Sequence, residues 1–301
     1  MRPVISGGWW LAAALALLVG CAAPAATTPI TGQVNVGDQR LFVTCQGSGT
    51  PSVVLEADLR RASDEWSEVQ PAVATFTRVC GYDRGGLGHS DNAPAPFSGA
   101  QAVDDLRILL AATGTRPPHV LVGNGFGGLL MRLYASRYPR DVAALVLLDT
   151  DDERLAARFQ ELTPRENRES YRRWLREDPD GQSVAATFVA LRAAGPLPDV
   201  PVMVLAHGRA PVDAAEVEVY QDVAASVPNG RLMRAEDSTA REIPRLQPGL
   251  VVDTIAALVR AAPSQAGGPP EPGLALAVLV LGAGAVLFGL VQRRRRPSRY
   301  T

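Results

Sequence analysis

Short apolar runs and amphipathic stretches alternate along most of the chain. Residues 32–36 and 40–46 alternate apolar with polar positions around Gly37-Asp38, the pattern of a β-hairpin. Residues 52–57 read as a buried strand, 63–73 as a helix, and 77–83 as the next strand. Ser98-Gly99-Ala100-Gln101 reads as a capping box; the helix it opens puts Ala102, Leu106, Leu109 and Leu110 on one face and closes at Gly114. Strand 120–122 then runs through a glycine-dense corner, Gly123-Asn124-Gly125-Phe126-Gly127-Gly128, into a helix that Pro139 stops. A strand over 142–149 follows, then a charged, helix-prone insert over 150–199. Strands over 201–206 and 231–235 alternate with helices over 212–225 and 250–261. This order predicts an α/β fold: a mostly parallel central sheet of about eight strands, flanked by helices and entered by an antiparallel hairpin. No internal repeat is visible.

The ends depart from this pattern. Arg2, an apolar stretch over 9–19 and Leu18-Val19-Gly20-Cys21 have the layout of a secretory signal over 1–21. Cysteine after Leu-Val-Gly resembles a bacterial lipobox, which makes Cys21 a lipidation site; an ordinary signal peptide or a retained N-terminal helix are the alternatives. A linker over 22–31 leads to the main domain at 32–262, and a Pro/Gly-rich linker at 263–272 leaves it. Residues 273–292 are almost wholly apolar, and about 20 residues at 1.5 Å each cover the roughly 30 Å of a bilayer core. The arginine-rich tail at 293–301 places that end in the cytoplasm and the main domain outside it. The expected setting is therefore a bacterial cell membrane with an extracytoplasmic domain, and the bilayer is an expected partner.

Charge narrows the partners. The 30 basic residues are all arginine, and setting aside Arg2 and the five tail arginines leaves 24 against 31 acids, a formal −7. Phosphate backbones need a basic face, so nucleic acid is not an expected partner. With Cys21 assigned to lipid, Cys45 and Cys80 remain as a disulfide pair or as two buried thiols.

Several stretches together resemble the α/β-hydrolase fold family over nearly all of residues 30–262. They are Val53-Val54-Leu55-Glu56-Ala57, Arg78-Val79-Cys80-Gly81-Tyr82-Asp83-Arg84, Gly85-Gly86-Leu87-Gly88-His89-Ser90-Asp91, the glycine-dense corner, and Ala144-Leu145-Val146-Leu147-Leu148-Asp149. The insert at 150–199 sits where such enzymes carry a helical cap. The resemblance implies a serine at the corner, a histidine after the last strand and an orienting carboxylate. Position 125 is glycine, which has no oxygen to attack with, and the aligned histidine position is Ala240. No histidine follows His207.

The oxyanion donors implied by the family are the Phe126 N–H and a glycine-rich loop after the third strand, which here reads Asp58-Leu59-Arg60-Arg61. An acid there disfavours a developing oxyanion. Asp213 fits the orienting acid but has no histidine to orient. His119 begins its strand at the far end of the sheet and reads as structural. His89, with Ser90, and His207 follow strands and are candidates for a displaced active site. No metal spacing or phosphate loop occurs, so no metal or cofactor is expected.

Nucleophile, base and oxyanion loop all depart from the family together. The reading is a pseudo-hydrolase that binds a small apolar ligand or an envelope protein, in a cleft widened by Gly125 and Ala240. The alternative is an esterase-, lipase- or peptidase-type hydrolase with a displaced site. A third reading is an envelope protein whose cap is its interaction surface.

Overall fold

The computed structural model describes residues 28–93, 97–154, 165–209 and 214–262. The antiparallel hairpin is β1 (Ile30–Val36) and β2 (Gln39–Gln46), whose alternating burial follows the polar–apolar alternation of the sequence. Strand β1 thus begins inside the stretch read as a linker. The continuous apolar runs become fully buried strands: β3 (Ser52–Glu56), β4 (Val79–Tyr82) and β5 (His119–Asn124). Strands β6 (Val142–Leu148), β7 (Val202–His207) and β8 (Gly230–Ala235) complete one eight-stranded sheet in the order β1-β2-β4-β3-β5-β6-β7-β8. Among the described residues, the β1–β2 and β2–β4 pairs are antiparallel and the other five pairs are parallel.

Along β5 the side chains alternate between two core layers. Val120 and Val122 pack with Trp66, Val69, Val251 and Ile255 on one face. Leu121 packs with Leu106, Leu109, Leu129, Leu133 and Tyr220 on the other. Two helices cover the second face beside β5: α2 (Gly99–Ala112), whose Ser98 Oγ accepts from the Gln101 N–H at 3.4 Å, and α3 (Phe126–Arg137). Burying these apolar faces on both sides of one sheet is the main stabilising term, at roughly 25 cal/mol per Å².

The stretch read as one helix over 63–73 is a 3-10 turn (Ser63–Trp66) and a separate short α1 (Gln70–Val73). Pro71 explains the break, because a proline in the interior of a longer helix would remove a hydrogen bond and clash with the preceding turn; here it sits in the first turn. The insert holds α4 (Arg165–Glu177) and α5 (Pro179–Ala194), separated at Asp178-Pro179, with Asp178 capping α5 through the Asp180 N–H. Helices α6 (Ala214–Ala225), α7 (Ile243–Leu246) and α8 (Pro248–Ala261) follow.

Cys45 and Cys80 are register partners on β2 and β4, and their sulfurs are bonded. The free-thiol alternative does not hold in this structure. Cys21, the signal segment, the 263–272 linker, the span at 273–292 and the basic tail lie outside the described residues. Among the described residues, no helix is long and apolar enough to cross a membrane.

Candidate functional site

Strand β5 ends at Asn124, and α3 begins at Phe126, so one residue makes the turn. Gly125 adopts φ 50° and ψ −116°, a backbone state that strains residues with a Cβ. Its N–H donates to the Leu148 carbonyl at 2.8 Å, and its carbonyl accepts from Gly128 and Asp151, each at 3.1 Å. A Cβ at Gly127 would stand 2.4 Å from the Glu56 carbonyl oxygen, so this glycine lets α3 close onto β3. The strand–turn–helix geometry of a nucleophile elbow is therefore intact in the backbone.

Its side-chain space is filled. The Phe126 N–H, first on α3, donates to Asp58 Oδ1 at 2.8 Å. Arg241 Nη1 donates to the same oxygen at 3.2 Å, while Arg241 Nη2 reaches Asp151 Oδ1 at 2.5 Å. A Cβ at position 125 would stand 1.9 Å from Arg241 Nη1 and 2.1 Å from Asp58 Oδ1. The expectation of a widened, apolar cleft floor is corrected: the room released by Gly125 holds a charged pair. Ala240 is exposed, and its neighbour Arg241, at φ 68°, turns into the site instead. Leu59 is half-buried against the helix-covered core layer.

A second tier holds this pair. Glu65 accepts from the Asp58 N–H at 2.8 Å and from Asn124 Nδ2 at 2.9 Å; Asn124 Nδ2 also donates to the Arg241 carbonyl at 2.9 Å. Asn124 Oδ1 is buried with no partner among the described residues. Asp149 accepts from the Arg241 N–H at 2.8 Å and from the His207 N–H and Nδ1, each at 2.9 Å. Burial raises the Glu65 and Asp151 carboxyls above their usual range, with Arg241 opposing the rise at Asp151. Burial works against the Arg241 charge, but the carboxylates of Asp151 and Asp58 outweigh it and hold the guanidinium charged.

The displaced-site candidates do not meet. His207 is buried on Asp149, with Nε2 3.9 Å from Glu216, and its hydrogen bond to Asp149 raises its pKa. His89, the other histidine candidate, points away from the elbow. Its side chain is 79% exposed, 3.5 Å from Asp83, and packs at a tilt against Phe42, with which it lines a cavity of about 400 Å³ that none of the elbow residues line. The loop after β4 turns back over β2, and this carries His89 outward. Ser90 Oγ is committed to that loop, donating to the Asp83 carbonyl at 2.6 Å and accepting from the Phe42 N–H at 2.8 Å. Asp213 lies outside the described residues. His119 is buried at the opposite end of β5, with Nδ1 2.6 Å from Ser52 Oγ, and burial lowers its pKa to about 4. Among the described residues, no group of three or more His, Cys, Asp or Glu could hold a metal ion.

Arg241, Glu65, Asp149 and Asp151 match no functional position of the family pattern read from the sequence. The available signal was the arginine beside the aligned histidine position, facing an acid in the loop after β3.

The family described as alpha/beta hydrolase fold matches residues 42–220. Among solved structures, mouse alpha/beta hydrolase domain-containing protein 10 superposes with a TM-score of 0.62 at 18% identity, covering 77% of this chain and 99% of that one. The enol-lactonase of Burkholderia xenovorans LB400 superposes at 0.58 with 17% identity, covering 76% and 99%. YqjL of Bacillus subtilis is 30% identical over 104 residues, 35% of this chain and 41% of YqjL. A vacuolar membrane protein of Saccharomyces cerevisiae is 32% identical over 105 residues, 34% of this chain and 16% of the yeast protein. The chain spans less than half the length of the first relatives that it matches.

Proposed function

The chain belongs to the alpha/beta-hydrolase fold family, and from that premise we propose that it is a non-catalytic member, a pseudo-hydrolase that binds rather than cuts. The observation that carries this reading is the Asp58–Arg241 pair standing in the nucleophile's space, with the Phe126 N–H donating to Asp58. Acyl transfer needs a nucleophilic oxygen, a base within reach, and donors left open for the charge that develops. Position 125 supplies no oxygen, and the nearby donor already serves a carboxylate. A second negative charge on the substrate would meet that carboxylate at hydrogen-bond range.

Of the two partners expected from the sequence, the apolar ligand falls with the apolar cleft floor; an envelope protein is the partner proposed, with the charged cap helices as its surface. Tethering to a membrane is part of the proposal; it rests on the apolar 273–292 stretch and its arginine tail. The similarity to the yeast vacuolar membrane protein agrees with it.

Full-length protein incubated with p-nitrophenyl esters and a fluorophosphonate probe tests the central reading. No turnover above buffer and no labelled serine are expected. Turnover abolished by His207→Ala or His89→Ala would favour the displaced-site hydrolase instead.

A further inference from the structure

Gly125 has a second consequence besides the loss of an oxygen. Two donors from distant parts of the chain, the Phe126 N–H and Arg241 Nη1, converge on one point occupied by Asp58 Oδ1. That point stands where a Cβ at 125 would collide, so the cradle exists only because the residue is glycine. We propose that the elbow is a carboxylate-binding site masked by the chain's own Asp58, an autoinhibitory contact that an organic carboxylate displaces. The proposal rests on the reading of the elbow as non-hydrolytic.

The donors do not depend on Asp58 for their positions. Phe126 is fixed by the start of a twelve-residue helix. Arg241 is fixed by Asp151 through Nη2 and by Asp149 through its backbone N–H. If the Asp58 side chain rotates away, an N–H and a guanidinium remain aimed at one vacated place. The Asp58 backbone is also pinned, its N–H to Glu65 Oε2 at 2.8 Å and its carbonyl to Arg84 Nη2 at 2.6 Å. Exchange therefore needs only a side-chain rotation, not movement of the loop.

Solvent reaches the pair, with the Arg241 side chain 38% exposed and that of Asp58 15%. The guanidinium is the more open of the two partners, so an anion from solvent can approach the pair from the Arg241 side. The backbone strain has the same address. The non-glycine residues with left-handed φ among the described residues are Arg60, Asp149 and Arg241, which belong to this loop and this network. Strained residues of this kind concentrate at binding and switching sites.

Titration of the full-length protein with sodium acetate, against sodium chloride at matched ionic strength, tests the proposal through the Phe126 amide resonance. Self-competition weakens apparent binding by the fraction of unmasked sites, so Asp58→Ala is expected to tighten acetate binding at least about tenfold over wild type. Adding Arg241→Ala to Asp58→Ala is expected to abolish the acetate-specific response. Asp58→Asn keeps the shape but loses the charge, and an intermediate gain is expected; it decides the matter by the same criterion if the alanine variant does not fold. The proposal is overturned if acetate acts no differently from chloride on the Asp58 variants, or if the double variant still responds. Fluorophosphonate labelling is read separately, so a serine hydrolase activity would defeat the non-catalytic reading without altering the acetate result.

Discussion

Two carboxylate–arginine pairs stand two residues apart where β3 runs out. Glu56 is fully buried with Arg84, which is 5% exposed, and Tyr82 donates to the same carboxylate. Arg84 also donates to the carbonyls of Ala57 and Asp58, so it ties the Glu56 carboxylate to the backbone that follows β3. Asp58 and Arg241 use the same chemistry, but they lie within reach of water and across a strained loop. The inner pair is closed structure, where removing one partner strands a charge in a dry interior. The outer pair is an occupied site, where the same removal exposes donors that water or another anion can satisfy. Burial, not residue type, separates the two.

The largest effect expected from this comparison is at the inner pair. Arg84→Met should destabilise the fold by about 3–5 kcal/mol, measured by urea unfolding, because Glu56 stays behind without its partner. A loss no larger than that from Arg241→Ala would erase the distinction between the pairs.

A smaller effect separates two histidines along the same line. His119 is enclosed like the inner pair, and burial lowers its pKa to about 4 from an ordinary 6.5. The unfolded chain therefore takes up this proton first, and stability should fall as pH drops from about 6.5 toward 4; His119→Gln should flatten that slope. His207 joins the outer network through Asp149, which raises its pKa above 6.5. Its contribution should be complete below about pH 6.5 and fade as pH rises through the raised value; His207→Gln should remove that decline. Thermal unfolding across pH reads both slopes, and slopes of the same sign would refute the assignment.

The smallest effect on stability is expected at the outer pair. Arg241→Ala should cost less than Arg84→Met, about 1–2 kcal/mol, since the Asp58 and Asp151 carboxylates it leaves behind are still partly reached by water. The same urea unfolding measures it, and a loss of several kcal/mol would make Arg241 a structural strut rather than part of an exchangeable site.

Much of the fold was legible from residue patterns. The alternation over 32–36 and 40–46 marked a one-sided hairpin, and the unbroken run Val53-Val54-Leu55 marked a strand covered on both faces. The helix over 63–73 was misread because apolar spacing outweighed Pro71, whose fixed φ and missing N–H decide where a helix can begin. At the site, the absences were readable and the replacement was not. Gly125 and Ala240 announce a missing oxygen and a missing imidazole. Nothing in a linear string brings Arg241 to Asp58, 183 positions away.

Residue patterns alone dictate a parallel sheet wrapped in helices and a glycine corner at the end of β5, and the family resemblance adds only which two positions lack a serine and a histidine. These follow from local periodicity and residue identity, which need no neighbours to be read. That the corner is full rather than empty is a property of the folded chain. A glycine removes atoms in the sequence, but what enters the space depends on which side chains the fold delivers there. Here the left-handed turn at Arg241 and the close of β3 deliver opposite charges to the same few ångströms.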